Sequence, residues 1–157
     1  MDTVLKVGDR APEFVLLDPD RIPVSLADFK GKRIVVYFYP KDFTPGCTQE
    51  ACDFRDLMEA KSLDADIVIG ISADAPEKHH EFKSHYDLPF ILLSDPDHNV
   101  MARWGAWGQK KNYGKTVTGV IRSTFVISPQ LTIEKTFVGI KAKGHALRVA
   151  NELKVTQ

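Results

Sequence analysis

Cysteine is scarce in this sequence, and no charge of either sign is in surplus. Only Cys47 and Cys52 stand among 157 residues. Two thiols are too few for a disulfide scaffold or a four-thiolate zinc site. Lys and Arg together number 21, as do Asp and Glu, so the formal charge is zero. That balance excludes a broad attraction to nucleic acid or to an anionic membrane. Long apolar runs are also missing. The stretch Ile34 to Tyr39 is among the longest and falls far short of the ~20 residues a membrane span needs. The opening MDTVLKVGDR has no basic segment followed by an apolar run, so no secretory signal is visible and a cytoplasmic location is expected. There is no repeat, no low-complexity linker and no Gly-rich phosphate cradle.

What is present suits one domain covering 1–157, of a size that buries roughly 70% of its extended surface without a staple. After a polar, turn-rich start over Val4 to Pro12, Glu13 to Leu17 reads as a short strand closed by Asp18-Pro19-Asp20. Ser25 to Phe29 reads as one loose helical turn. Arg33 to Tyr39 contains IVVYFY, a β-branched and aromatic run expected of a central strand covered on both faces. Pro40 ends it, a loop follows over Lys41 to Gly46, and helical spacing begins at Cys47 and runs to about Ser62. Ile67 to Ser72 is a second buried strand. Pro76 to Tyr86 is a second helix, with proline in its first turn. Ile91 to Leu93 is a short strand and Asn99 to Arg103 a brief helix. Gly105 to Gly119, with four glycines, reads as a loop. Arg122 to Ile127 and Leu131 to Val138 form a hairpin around Ser128-Pro129-Gln130, and Gly144 to Leu153 a last helix. The right-handed crossover rule makes the strands at 33–39 and 67–72 parallel, and the hairpin makes the sheet mixed. This order predicts an α/β architecture, a central mixed sheet flanked by helices, with the layout of a thioredoxin-like fold.

Cys47 follows a buried strand, a loop and Pro45-Gly46, and opens a helix. The first helical turn has unpaired N–H groups and partial positive charge, and both favour a thiolate. The thiolate is the nucleophilic form of cysteine. Thr44 stands three residues earlier. Its hydroxyl can either reach the sulfur and a bound oxygen species or cap the helix with Pro45 at the first position. Glu50 lies one turn beyond Cys47. A carboxylate there opposes a thiolate unless it orients an arginine, and the alternative is an acidic residue suited to a first turn. Arg122, in the apolar run GVIRSTFVI, is the candidate cation; it either stabilises negative charge at the sulfur or points from a strand edge into water. On an uninterrupted helix, five residues separate Cα atoms by about 8.6 Å. Disulfides want less than about 7 Å. Either the first turns unwind on oxidation, or Cys52 is an unrelated small buried residue. The spacing is not the C-x-x-C of a dithiol oxidoreductase.

His79 and His80 are adjacent, and His85, His98 and His145 are scattered. Neighbouring helix positions point in different directions, so His79 and His80 read as part of a solvated face, with no metal set. Lys110-Lys111 reads as solvated. Asp74, Asp95 and Asp97, in turn-like contexts, read as caps or solvated residues.

The segment YFYPKDFTPGCTQEACDFRD resembles the active site of peroxiredoxins, specifically the bacterioferritin comigratory protein (PrxQ) subgroup. The family pattern Pro-x-x-x-Thr/Ser-x-x-Cys is matched by Pro40, Thr44 and Cys47, its arginine by Arg122, and a frequent glutamate by Glu50. The resolving cysteine of the subgroup falls on Cys52. APEF near Pro12 and the WG and YGK around Trp107 and Tyr113 extend the likeness over nearly the whole chain. Two local phrases depart from it: Ser128-Pro129-Gln130-Leu131, where relatives carry an acidic, glycine-containing turn, and Trp104, which is expected to alter pocket shape or a partner surface. The resemblance implies a thiol-dependent peroxidase acting on hydrogen peroxide and organic hydroperoxides. It implies a Cys47 sulfenic acid, a Cys47–Cys52 disulfide, and recycling by thioredoxin or a similar dithiol protein. Thr44 and Arg122 are expected to hold the peroxide oxygens with backbone N–H groups near Gly46 and Cys47. Pro40 is expected to shield the thiolate, and Phe43 to form an apolar wall or a loop anchor. No metal, haem or flavin is implied, and a monomer is expected. The competing readings are a thioredoxin-type protein-disulfide reductase and a redox-sensing or chaperone-like binding protein.

Overall fold

The computed structural model describes residues 5–155; Val4, assigned above to the opening segment, lies outside them. Seven strands form one mixed sheet in the order β2-β1-β5-β4-β3-β8-β9. β3 (Ile34–Phe38), β4 (Ile67–Ser72) and β5 (Ile91–Ser94) are its parallel centre. β8 (Ser123–Ile127) runs antiparallel to β3, and β9 (Ile133–Val138) to β8. On the other side β1 (Val15–Leu17) runs antiparallel to β5, and β2 (Pro23–Ser25) closes the sheet antiparallel to β1. This is the thioredoxin-like α/β layout expected from the element order.

The run IVVYFY works as two interleaved sets. Ile34, Val36 and Phe38 pack into one apolar cluster, and Val35, Tyr37 and Tyr39 into the other. The period-2 alternation of a strand produces this split. The second cluster is roofed by three helices: α1 (Pro45–Glu59), α2 (Pro76–Tyr86) and α4 (His145–Val155). α1 contributes Cys47, Ala51 and Phe54, and α4 contributes Ala146, Val149, Ala150 and Leu153. Both sets follow the i, i+3, i+4, i+7 stripe of an amphipathic helix. α3 (Asn99–Arg103) and a 3₁₀ turn (Leu26–Phe29) lie against the first cluster. Among the described residues no helix is long and apolar enough to cross a membrane.

Two sequence expectations are corrected. Gly105–Gly119 is not a loop: β6 (Trp107–Asn112) and β7 (Lys115–Val120) pair antiparallel as a separate two-stranded ribbon turning at Tyr113-Gly114. Its residues are mostly polar, so the alternation that marks a strand is weak. Trp104 shapes no outer surface. It is fully buried and packs against Phe14, Phe38 and Phe125.

Tight packing under the helices gives a direct check. A Cβ at Gly70 of β4 meets the Tyr37 ring at 2.8 Å and its hydroxyl at 2.9 Å. Overpacking of this kind costs about 1–3 kcal/mol. Gly70→Ala is therefore expected to lower the urea midpoint at unchanged m-value; an unchanged midpoint contradicts this packing.

Candidate active site

Register brings the site together. β3 and β8 pair from Ile34↔Ile127 to Phe38↔Ser123. Arg122, one residue before β8, therefore sits where the chain leaves β3 for the loop that feeds α1. Carboxyl ends of parallel strands are the usual place for a site in such sheets. On α1, Cys47 and Glu50 are three residues apart and so face the same side; both are buried.

Arg122 joins them. Its Nη2 donates to Cys47 Sγ at 3.3 Å, and its Nη1 donates to Glu50 Oε1. Glu50 is 0% exposed and Cys47 1%. Burial pushes the Glu50 carboxyl up to about 7, Arg122 pulls it back, and Asp53 pushes it further up. Burial acts to lower the Arg122 pKa, but the charges of Glu50 and Cys47 and the hydrogen bonds to both outweigh it and hold the guanidinium above its ordinary value. Of the two readings of each residue, the orienting role for Glu50 and the inward-facing role for Arg122 match this geometry.

Thr44 occupies the N-cap position, with Pro45 following, but its side chain makes no capping bond. Its hydroxyl donates to the Lys41 carbonyl at 2.7 Å. The single proton is spent there, so the oxygen remains available as an acceptor. Gly46 lies beside the guanidinium: a Cβ there would be in van der Waals contact with Arg122 Nη2 at 3.4 Å and with Ala142 Cβ at 3.5 Å. A depression of about 390 Å³ beside Gly46 is lined by Gln49, Asp53, Ala142, Lys143 and Gly144. Pro40 is half-buried at the start of the loop. Phe43, at 40% exposure, leans its ring on Phe82 of α2 at 5.0 Å. Cys52 lies on the same unbroken helix as Cys47, half-buried, and both are free thiols. Burial pushes the Cys52 thiol up, with Arg55 opposing and Asp56 and Asp53 adding to the rise.

The histidines depart from the solvated reading. His80 is exposed, but His79 is 0% exposed and pairs with Asp42. Asp74 is also partly buried; its carboxylate accepts from the Asp42 N–H at 2.8 Å and from the Ser72 hydroxyl at 2.7 Å. Asp95 does cap α3, accepting from the N–H groups of Val100 and Met101. His145, at the start of α4, is buried with Nε2 2.7 Å from Thr124 Oγ1. A lone histidine in a mixed sequence carries no burial signal, because the packing that buries it is long-range.

The chain matches the family model described as AhpC/TSA over residues 7–136. It is 50% identical over 153 residues to a putative peroxiredoxin of Mycobacterium tuberculosis, covering 98% of each chain. It is 48% identical over 151 residues to peroxiredoxin Bcp of Escherichia coli, covering 96% of each. Among solved structures it is similar to a cysteine-to-serine variant of PrxQ from Xylella fastidiosa, with TM-score 0.88 and 30% identity over 98% of both chains. A peroxiredoxin Q variant from Xanthomonas campestris aligns over 100% of both chains with TM-score 0.85 and 33% identity.

His145 yields a pH test. Burial, then the positive charges of Arg148 and Arg122, lower it from 6.5 to about 4. The unfolded chain takes up this proton first, so the stability is present above about 6.5 and drains as pH falls toward 4. Between pH 7 and pH 4.5 the melting temperature of the parent is expected to fall more steeply than that of His145→Gln. Parallel curves contradict the assignment.

Proposed function

The chain belongs to the AhpC/TSA family, among the Bcp and peroxiredoxin Q proteins, and is a peroxidase that works through a thiol; from that premise we propose that Cys47 meets the peroxide and Cys52 resolves the product. The observation that carries this reading is the Arg122 guanidinium, held between the Cys47 sulfur and the buried Glu50 carboxyl.

Cys47 thiolate attacks one peroxide oxygen, the O–O bond breaks, and the leaving oxygen departs as water or an alcohol after taking a proton. Cys47 becomes a sulfenic acid. Arg122 faces the negative charge that develops on the oxygens, where a fixed cation is most effective. Thr44, its hydroxyl already donating to the Lys41 carbonyl, accepts a hydrogen bond from the peroxide O–H. Pro40 shapes the loop and limits water at the sulfur.

Cys52 then condenses with the sulfenic acid, releasing water and forming a disulfide. The intact helix forbids this, so the first turns of α1 open. They are poorly fastened. The N-cap side chain is engaged elsewhere, which forgoes about 1 kcal/mol, and Gly46 in the first turn has the most backbone freedom to regain on unwinding. Burial raises the Cys52 thiol, which keeps it in the un-ionised, poorly nucleophilic form while the helix is intact. A dithiol protein such as thioredoxin reduces the disulfide and is itself oxidised. Both cysteines lie on one chain, so a monomer suffices.

Peroxide consumption coupled to thioredoxin, its reductase and NADPH tests the reading. Cys47→Ser is expected to abolish turnover. Cys52→Ser is expected to lose steady-state turnover, and Arg122→Met to slow the reaction about 100-fold. Full turnover by Cys47→Ser contradicts the assignment of the reacting thiol.

A further inference from the structure

We propose that His79 is a positioning residue for the peroxidase: through Asp42 it fastens the loop that carries Thr44 to α2 and to the ends of β4 and β5. The inference rests on the reading of Cys47 as the peroxide-reactive thiol. Aspartates in loops are ordinarily solvated, yet Asp42 is 1% exposed.

All the polar atoms of Asp42 that reach its neighbours are engaged. Oδ1 accepts from the Tyr39 hydroxyl at 2.5 Å, Oδ2 lies 2.5 Å from His79 Nδ1, and the backbone N–H donates to Asp74 Oδ2 at 2.8 Å. On the far side of the ring, His79 Nε2 lies 3.0 Å from the Leu93 carbonyl and 3.5 Å from Ser72 Oγ. A carbonyl only accepts, so Nε2 carries a proton. Nδ1 and the Asp42 carboxylate also share one, because two bare acceptors repel at this distance. The tie thus joins four pieces of chain. Asp42, Asp74 and His79 offer ligand atoms within 4.8 Å of one another, but Asp42 and His79 already pair with each other and the Asp74 carboxylate is taken by the Asp42 N–H and the Ser72 hydroxyl, which is the arrangement of a fastening.

The next residue supports the same role. Phe43 has φ of 67°, uncommon for a bulky side chain and retained only where the surroundings enforce it. Its ring packs on Phe82 and Tyr86 of α2 at 5.0 and 6.1 Å. Asp42 and Phe43 are therefore both held by the helix that carries His79, immediately before Thr44. When the first turns of α1 open, this fixed upstream end keeps the loop in place for them to re-form against Arg122.

The test follows two rates in a Cys52→Ser background: sulfenic acid formation, by quenched-flow mass spectrometry, and alkylation of Cys47 by iodoacetamide. His79→Ala is expected to slow sulfenic acid formation about tenfold or more, since small misplacements are costly. Alkylation should rise about threefold as the buried sulfur is uncovered. Asp42→Asn is expected to stay within about threefold of the Cys52→Ser parent in sulfenic acid formation, because an amide can donate to Nδ1 while its oxygen accepts from Tyr39. Val100→Ala, in α3 under the opposite sheet face, serves as the destabilised control, with both rates unchanged. Should His79→Ala not fold, Tyr39→Phe removes one bond of the tie and is expected to move both rates in the same directions, by less. Rates for His79→Ala or Tyr39→Phe equal to those of the parent overturn the proposal, as does an Asp42→Asn variant as slow as His79→Ala. If the Cys52→Ser parent forms no sulfenic acid, the peroxidase reading fails; the alkylation rates still decide whether His79 fastens the loop.

Discussion

Arg122 stands between a buried carboxyl and a buried sulfur, and its two terminal nitrogens donate, one to each. Much of the architecture serves that fork. β8 must lie beside β3 for the arginine to arrive at the start of the loop. α1 must begin at Pro45 for Cys47 and Glu50 to face it together. Gly46 lies beside the guanidinium, where even a Cβ would come into van der Waals contact with it. Remove the arginine and Glu50 becomes a buried carboxyl without its cation, the kind of loss that is strongly destabilising. The same contact thus serves stability and chemistry.

In the proposed cycle α1 has two opposed tasks. Intact, it aims the sulfur and its amides at the peroxide; intact, it also holds Cys52 too far along the axis to form a disulfide. A helix whose first turn lacks a side-chain cap and contains glycine resolves the conflict, because that turn is its least secured part. The loop before it is secured in the opposite manner, by the Asp42–His79 tie and by the Phe43 ring. Under the proposed mechanism, rigidity upstream and weakness in the first turns confine the motion to the segment where the two cysteines would meet.

The central strands and α2 were legible because their patterns are strong: IVVYFY alternates between two buried faces, and Pro76 marks a helix start with its own geometry. The meeting of Cys47, Glu50 and Arg122 was legible from helical spacing and from the resemblance together. The β6–β7 ribbon was not, since its glycines and lysines suggest a loop and its pairing is what makes it a strand. Nor was the three-residue β2, which begins at a proline. The burial of His79 escaped because its partner lies 37 residues earlier and its neighbour His80 is exposed, so local pattern averages the two.

The central claim is that Cys47 takes the oxygen and Cys52 closes the cycle within one chain. Intact mass after one equivalent of hydrogen peroxide, on reduced protein with and without Cys52→Ser, reads this directly. The parent is predicted to lose about 2 Da and the variant to gain about 16 Da in a form that a sulfenic-acid trap captures. No rapid mass change in either protein, or a loss of about 2 Da in the variant, would contradict the account.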